Sequence, residues 1–214
     1  MEILSYVVTA LAAYLLGSIP TGFLVAQARG VDIRTVGSGN IGATNVLRTH
    51  GKPAGIFVLL MDALKGWLAV VPSPRLVLLS LGMTSDSTAW EAVEICAGVC
   101  AILGHNYTCW LHFKGGKGIA TSAGVLLALV PWALCSIAIL WVIVFGLTRY
   151  VSLGSIAASA ALPFASWATH ESLTKVVVTG AMGALAIFKH KANIQRLLNG
   201  TEARFGRKTK EASK

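Results

Sequence analysis

Glycine, hydroxyl and amide residues alternate between two arginines in the first third of the sequence. The run reads R-T-V-G-S-G-N-I-G-A-T-N-V-L-R. Its polar members are Ser38, Asn40, Thr44 and Asn45, and its ends are Arg34 and Arg48. Glycines leave backbone N–H groups accessible, and guanidinium groups bind phosphate oxygens through paired hydrogen bonds. The run therefore predicts a phosphate site, with a simple turn between two helices as the alternative.

A second glycine-rich segment reads F-K-G-G-K-G and leads directly into an apolar stretch. Backbone N–H groups at Gly115, Gly116 and Gly118 are predicted to point at an anion, while Lys117 and a helix N-terminus add positive charge. A Walker A nucleotide loop is excluded, because Gly118 stands after Lys117 where that motif needs Ser or Thr. The segment predicts a phosphate or acyl-phosphate site, with a flexible basic interfacial loop as the alternative.

The third polar segment runs from His190 to Glu202 and reads H-K-A-N-I-Q-R-L-L-N-G-T-E. On a helix, Asn193 shares one face with His190 and with Arg196, because residues three apart are neighbours. These three side chains are candidates for contact with substrate. An amphipathic helix that binds anionic lipid is the alternative interpretation.

Four other polar residues lie in or beside apolar stretches. Ser152 and Ser155 begin the sixth predicted span and are candidates for substrate binding, with a helix cap as the alternative. Asp62 and Lys65 lie within the second predicted span, three residues apart. A lone charge at mid-membrane costs about 2.5–3.5 kcal/mol on insertion scales, so the two are expected to pair or to face a wet cavity. A structural ion pair and a functional role are both open from the sequence.

The composition indicates what kind of chain carries these segments. Hydrophobic residues make up 55% of its 214 residues and charged residues only 13%, with a mean hydropathy of +0.68. Soluble domains contain about 45–50% apolar and about 25% charged residues, so an ordinary soluble enzyme is excluded. The net charge of +9 would suggest nucleic acid in a soluble protein. In a membrane protein it indicates basic loops on one side, and no nucleic-acid partner is predicted.

Hydropathy predicts an all-α integral membrane protein, a bundle of about seven transmembrane helices forming one domain over residues 1–214. A span needs about 20 mostly apolar residues, and several candidates are shorter, so five or six spans are possible if neighbours merge. The predicted spans are 3–26, 55–79, 88–103, 117–131, 132–148, 152–169 and 174–188. Residues from about 200 to 214 are polar and basic, which predicts a flexible tail.

The distribution of basic residues predicts the orientation. With seven spans and the N-terminus outside, 15 of the 18 Lys and Arg residues lie on the cytoplasmic side. Positive charge favours that side, so the C-terminus is predicted to be cytoplasmic. All three polar segments then lie on or near the same side of the membrane. No acidic cluster offers a metal site, and no His is followed five positions later by Asp, which excludes the His-x4-Asp device of soluble-type acyltransferases.

The three segments together resemble the acyl-phosphate-dependent glycerol-3-phosphate acyltransferases of bacterial membranes. The resemblance covers residues 17–202 and appears in the family's order. It is carried by G-S-I-P with G-S-G-N-x-G-A-T-N-x-x-R, then G-H-N with F-K-G-G-K-G-x-A-T, then H-x-x-N-I-x-R-L-x-x-G-x-E.

This resemblance implies a seven-helix enzyme of the bacterial cytoplasmic membrane with its active site facing the cytoplasm. Such an enzyme transfers an acyl group from acyl phosphate to the 1-hydroxyl of glycerol 3-phosphate, giving 1-acylglycerol 3-phosphate (lysophosphatidic acid) and phosphate, the first acylation of phospholipid synthesis. It uses neither a metal nor a cofactor, and an acyl-phosphate-forming enzyme must supply its donor.

The resemblance also implies roles for the matching residues. Lys117, His190, Ser38, Arg48 and Asn193 would be catalytic. The remaining members of the motifs, with the two serines, would bind substrate or phosphate: Asn40, Thr44, Asn45, Gly115, Gly116, Gly118, Ser152, Ser155 and Arg196. His190 or the substrate's own phosphate would accept the hydroxyl proton. An organophosphate transporter and a non-catalytic lipid-binding anchor are the competing interpretations, but no inverted repeat supports the first and the clustered motifs do not suit the second.

Overall fold

The computed structural model describes residues 2–80 and 87–206, and every regular element in these two ranges is helical. Contacts divide the chain into two compact units, residues 1–131 and 132–214. The helices of the first unit are α1 (Glu2–Ser18), α2 (Thr21–Gln27), α3 (Ala43–His50), α4 (Lys52–Val70), α5 (Pro72–Ser80), α6 (Ser87–Asn106) and α7 (Ile119–Leu129). Those of the second are α8 (Pro131–Thr148), α9 (Val151–Ala168), α10 (Leu173–Lys189) and α11 (Lys191–Leu198). The all-helical prediction is confirmed over the described residues, while one domain for the whole chain stays a prediction.

Glycine permits close contact between α4 and α7 in the first unit. A Cβ on Gly66 would collide with the carbonyl of Thr121, and one on Gly124 with the carbonyl of Ala63. Helices in membranes gain van der Waals contact by such close approach, because lipid supplies no hydrophobic force between them. The two helices are thereby held at a distance that larger side chains would not allow.

The first predicted span is interrupted. Its apolar stretch, Ile3–Gln27, is long enough to cross a membrane, but α1 ends at Ser18 and α2 begins at Thr21. Pro20 lacks a backbone N–H and restricts the residue before it, so the helix stops there. The break leaves the Ile19 carbonyl outside a regular helix, where Lys65 reaches it.

Helix length and apolarity give four or five candidate spans among the described residues. Four described segments are long and apolar enough to cross a membrane, or five if the bent pair α10 and α11 is one span. The predicted span 55–79 is split, since α4 ends at Val70 and Pro72 begins α5. Helix α7 has 11 residues, about 16 Å, and is shorter than a hydrocarbon core of about 30 Å. Seven spans and the orientation of the termini therefore stay predictions.

The second unit holds part of the predicted tail in place. The N–H of Phe205 donates to the carbonyl of Arg149 over 2.8 Å, and the Phe205 ring lies edge-on to Phe145. The guanidinium of Arg204 lies over the ring of Tyr150. The prediction of a flexible tail from residue 200 is therefore wrong for residues 202–206. Residues 207–214 lie outside the described ranges.

Candidate active site

The first predicted phosphate segment is a loop closed by one buried side chain, that of Asn45. Its Oδ1 accepts from the N–H of Ser38 over 2.9 Å. Its Nδ2 donates to the carbonyls of Asn40, Val36 and Ile33 over 2.9, 3.1 and 3.3 Å. Because Asn45 is only 2% exposed and its amide is used by the loop, the geometry assigns it a positioning role within the loop.

The outer surface of this loop carries the other polar residues of the run. Ser38 is exposed in the loop, and Oδ1 of Asn40 accepts from the N–H of Gly42, just before α3, over 2.9 Å. Thr44 and Arg48 lie one turn apart on α3, with Arg48 exposed. The structure therefore brings the predicted residues of the run into one loop and its following helix.

The two flanking arginines differ in their surroundings. Arg34 is held by Asp32 in a bidentate pair, with its Nη2 2.7 Å from Oδ2, and it also lies over the ring of Phe23. Hydrogen bonds from the Arg34 side chain and backbone lower the pKa of Asp32 to about 2. The Arg34 guanidinium is therefore committed to the loop itself, whereas Arg48 is exposed on α3.

The second predicted phosphate segment lies on the end of α6. The N–H of Gly115 donates to the carbonyl of Asn106 over 3.2 Å, and that of Gly116 donates to the carbonyl of His105 over 3.0 Å. The prediction that these two amides point at an anion is therefore wrong, because both are used to fasten the loop. The amides left for an anion are those of the first turn of α7, which follows Gly118.

Close approach explains why this loop is rich in glycine. A Cβ on Gly116 would collide with the imidazole Nε2 of His105, and one on Gly118 would meet Oδ1 of Asn106 at 2.7 Å. Gly118 also has a φ of +80°, which favours glycine. Lys117 lies between these glycines, half-buried, immediately before the N-terminus of α7. Lys117 therefore precedes a helix N-terminus, whose dipole also favours anions.

The first and second loops share a hydrophobic core. Leu111, just before the second loop, is 5% exposed and packs in one cluster with Ile33, Ile41 and Val46 of the first loop and α3. Segments that are some seventy residues apart in the sequence are therefore neighbours in the fold. One buried apolar cluster therefore holds the two loops together.

The third segment is organised around the carboxylate of Glu202, which is 8% exposed. Its Oε1 accepts from the hydroxyl of Ser152 and from Nδ2 of Asn193, each over 2.7 Å. Its Oε2 accepts from Nε of Arg196, also over 2.7 Å. Burial raises the pKa of Glu202, but these three hydrogen bonds outweigh burial and the net shift is downward.

His190 lies at the bend of 57° between α10 and α11 and is 3% exposed. Its Nδ1 is 2.8 Å from the carbonyl of Ala186. A carbonyl only accepts, so Nδ1 carries a proton and, in the neutral ring, Nε2 carries the lone pair. The ring is therefore set in the tautomer that could accept a proton at Nε2.

Ser152 and Ser155 have different surroundings although both begin α9. Ser152 donates to Glu202, whereas Ser155 donates to the carbonyl of Val151 over 3.0 Å and accepts from Nε1 of Trp141 over 3.3 Å. Neither side chain caps α9, whose N-cap is Tyr150 without a side-chain hydrogen bond. The helix-cap alternative is therefore wrong for both.

Comparison with known proteins shows the family of the chain. Residues 7–200 match the glycerol-3-phosphate acyltransferase family. The chain belongs to this family. The acyltransferase is 45% identical over 203 residues to the glycerol-3-phosphate acyltransferase of Geotalea daltonii, covering 95% of this chain and 99% of the relative. It is 48% identical over 193 residues to that of Geobacter sulfurreducens, covering 90% and 94%.

A solved structure agrees with the fold of the acyltransferase. The crystal structure of PlsY (YgiH), an integral membrane glycerol 3-phosphate acyltransferase, in its glycerol 3-phosphate form is 39% identical and superposes with a TM-score of 0.83. It covers 94% of this chain and 96% of its own. The lysophosphatidic acid form of the same protein is 38% identical, with a TM-score of 0.80. The acyltransferase is therefore a membrane protein of this fold.

The sequence pattern does not predict the structural roles of Glu202 and His105. Glu202 accepts hydrogen bonds from three candidate site residues, Ser152, Asn193 and Arg196. The carbonyl of His105 accepts from the N–H of Gly116, and its imidazole packs against that glycine. An acidic residue inside an otherwise basic segment was the one available signal for Glu202. Among the described residues, no group of three His, Cys, Asp or Glu side chains could hold a metal ion.

Proposed function

We propose that this glycerol-3-phosphate acyltransferase takes its acyl group from an acyl phosphate. The 1-hydroxyl of glycerol 3-phosphate attacks the acyl carbon, the bond from that carbon to the phosphate oxygen breaks, and lysophosphatidic acid and inorganic phosphate form. The observation that carries the proposal is Lys117, set beside the N-terminus of α7 on a loop fastened to α6. This arrangement suits a phosphate that gains charge as it leaves.

The donor phosphate is assigned to Lys117 and the first-turn amides of α7, in place of the amides of Gly115 and Gly116. Those two glycines instead hold the loop in position, and Gly118 opens the helix. Removal of one donor that stabilises developing negative charge typically lowers kcat by about 100- to 1,000-fold. Acyl phosphate is an activated anhydride, so no protein nucleophile is required.

The acceptor phosphate is assigned to Arg48, Ser38 and Thr44. These residues lie on the outer surface of the first loop and on α3, where Arg48 is exposed. Asn40 and Asn45 shape that loop through their hydrogen bonds. Correct positioning of two reactants supplies about 7–11 kcal/mol of the barrier reduction in favourable cases, and this is the contribution expected here.

The hydroxyl proton is assigned to Nε2 of His190, with the acceptor's own phosphate as the competing base. The hydrogen bond from Nδ1 to Ala186 leaves the lone pair on Nε2, which supports the first assignment. Asn193, Arg196 and Ser152 hold Glu202 and thereby set the position of the helix that follows His190. Ser155 is assigned to packing against Trp141.

The charge distribution supports a seven-span protein of the bacterial cytoplasmic membrane with its active site facing the cytoplasm. The acyl chain would then enter from the bilayer while both phosphates are bound at the cytoplasmic surface. Membrane lipids would surround the helices. An acyl-phosphate-forming enzyme would be the functional partner that supplies the donor.

Donor specificity is the direct test. The purified protein in detergent is given glycerol 3-phosphate with palmitoyl phosphate or with palmitoyl-CoA, and both phosphate release and lysophosphatidic acid are measured. Equimolar phosphate and lysophosphatidic acid from palmitoyl phosphate alone is the expected result. Turnover with palmitoyl-CoA alone would overturn the donor assignment. Binding of glycerol 3-phosphate without turnover on either donor would favour transport, which flux into liposomes would then measure.

A further inference from the structure

Two opposite charges are buried together inside α4. Nζ of Lys65 is 2.8 Å from Oδ1 of Asp62, and the two residues are 4% and 2% exposed. Nζ also donates to the carbonyl of Ile19 over 2.8 Å, at the break between α1 and α2. The pair is therefore fastened to the segment that leads into the first loop.

A buried ion pair contributes little to the net free energy of folding. The desolvation of two charges offsets most of their attraction, and apolar residues of similar volume are often as stable or more stable. In a membrane segment the cost of keeping charged groups is added to this. Stability alone therefore does not account for the pair, and the residue next to it indicates another role.

The neighbour of the pair is His105, which is 5% exposed at the end of α6. Its Nδ1 is 3.7 Å from Oδ1 of Asp62, beyond a direct hydrogen bond but close enough for the carboxylate to attract a proton on Nδ1. On its other side, the imidazole Nε2 lies against Gly116, and the His105 carbonyl accepts from the Gly116 N–H. His105 thus lies between the ion pair and the loop that carries Lys117.

We propose that Asp62 and Lys65 are positioning residues for the acyl transfer. Lys65 fixes the Asp62 carboxylate, Asp62 selects the His105 tautomer with a proton on Nδ1, and the oriented ring supports the loop that places Lys117. This inference rests on the proposed function, in which Lys117 binds the donor phosphate.

The test compares variants by kcat, KM and melting temperature in detergent. Asp62→Asn/Lys65→Met removes both charges with little change in volume. The expected result is a melting temperature within a few degrees of wild type, with kcat/KM for palmitoyl phosphate lowered about 10- to 100-fold, as when a partner that orients a histidine ligand is removed. A kcat/KM within twofold of wild type would overturn the proposal. So would a double variant that does not fold, because the pair would then be needed for folding itself.

A charge exchange separates positioning from simple pairing. Asp62→Lys/Lys65→Asp keeps an ion pair but places an ammonium group beside His105. Loss of turnover in this folded variant is expected, whereas wild-type turnover would show that any ion pair suffices and would overturn the proposal. If the exchanged variant does not fold, the decision rests on the charge-removed variant above and on the cycle with His105 below.

A double-mutant cycle tests whether the effect passes through His105. Asp62→Asn is measured alone, with His105→Gln alone, and with both together. We expect Asp62→Asn to lower kcat/KM little further once His105 is replaced, because Asp62 acts through the His105 imidazole. Losses that multiply would contradict this route. Wild-type turnover with palmitoyl phosphate is the control for the proposed function, and its absence would count against that function alone.

Discussion

The hydroxyl of Ser152 donates a hydrogen bond of 2.7 Å to Oε1 of Glu202, fifty residues further along the chain. This contact fastens the start of α9 to the segment that follows α11. With Asn193 and Arg196 donating to the same carboxylate, it stabilises the ionised form of Glu202 in a buried position. Stability of the second unit should therefore depend on this one charge.

Replacement of Glu202 tests that dependence. Glu202→Gln keeps the volume but removes the charge, and hydrogen bonds to a charged group contribute about 1.5–3 kcal/mol each. We expect a clearly lower melting temperature at pH 7, measured by thermal unfolding in detergent. Glu171→Gln is the control, since Glu171 forms an i,i+4 pair with Lys175, and such pairs contribute about 0.3–0.5 kcal/mol.

The same variant should show a defined pH dependence. The pKa of Glu202 is lowered in the folded state from its ordinary value of 4.5, so its stabilisation is complete above that pH and is lost as the pH falls through the folded pKa. The difference in melting temperature between wild type and Glu202→Gln should therefore be constant above pH 5 and shrink below about 4.5. A difference that grows toward low pH would contradict the assignment.

Lys117 and Lys114 form a matched pair on one loop. Lys117 is half-buried beside the N-terminus of α7, whereas Lys114 is exposed. Lys117→Ala should lower kcat with palmitoyl phosphate about 100- to 1,000-fold, because the leaving phosphate loses a charged donor. Lys114→Ala should keep kcat within about threefold, because an exposed charge is largely screened. Equal losses in the two variants would indicate general attraction of anions rather than a specific contact.

Gly116 tests the contact between the second loop and His105. A Cβ at this position collides with the imidazole, so Gly116→Ala should displace the loop and lower kcat/KM. Gly146→Ala in α8 is the control, because a Cβ there meets nothing within 4 Å, and alanine in a helix is favoured over glycine by about 0.5–1 kcal/mol. Steady-state kinetics and melting temperature should separate the two. Unchanged kinetics in Gly116→Ala would contradict the described packing.

Asn45 tests the closure of the first loop. Asn45→Asp keeps the shape but replaces a donor that faces three carbonyls with a second acceptor. We expect a loss of about 1–3 kcal/mol in the free energy of unfolding, because buried carbonyls lose their partner. Asn199→Asp, at the exposed end of α11, should change the melting temperature little. An Asn45→Asp variant as stable as wild type would contradict the assigned positioning role.

The sequence by itself shows which residues form the polar segments. It also shows that these segments interrupt an apolar chain. Spacing and composition identified helices, basic loops and glycine-rich turns, because these depend on local residue types. Pro20 likewise marks the break after α1 by its own chemistry. The family resemblance carried by the motifs is confirmed by the match over residues 7–200.

Only the tertiary structure decided which hydrogen-bond donors pair with other groups of the protein. The amides of Gly115 and Gly116 looked available in the sequence, but carbonyls of α6 accept from both. Asn45 looked like a ligand for phosphate, but it closes its own loop. The physical reason is that hydrogen bonds and ion pairs in a buried setting join residues far apart in sequence, and no local pattern records the partner. Residue types and their local spacing are properties of the sequence, whereas the partner of each polar group is a property of the fold.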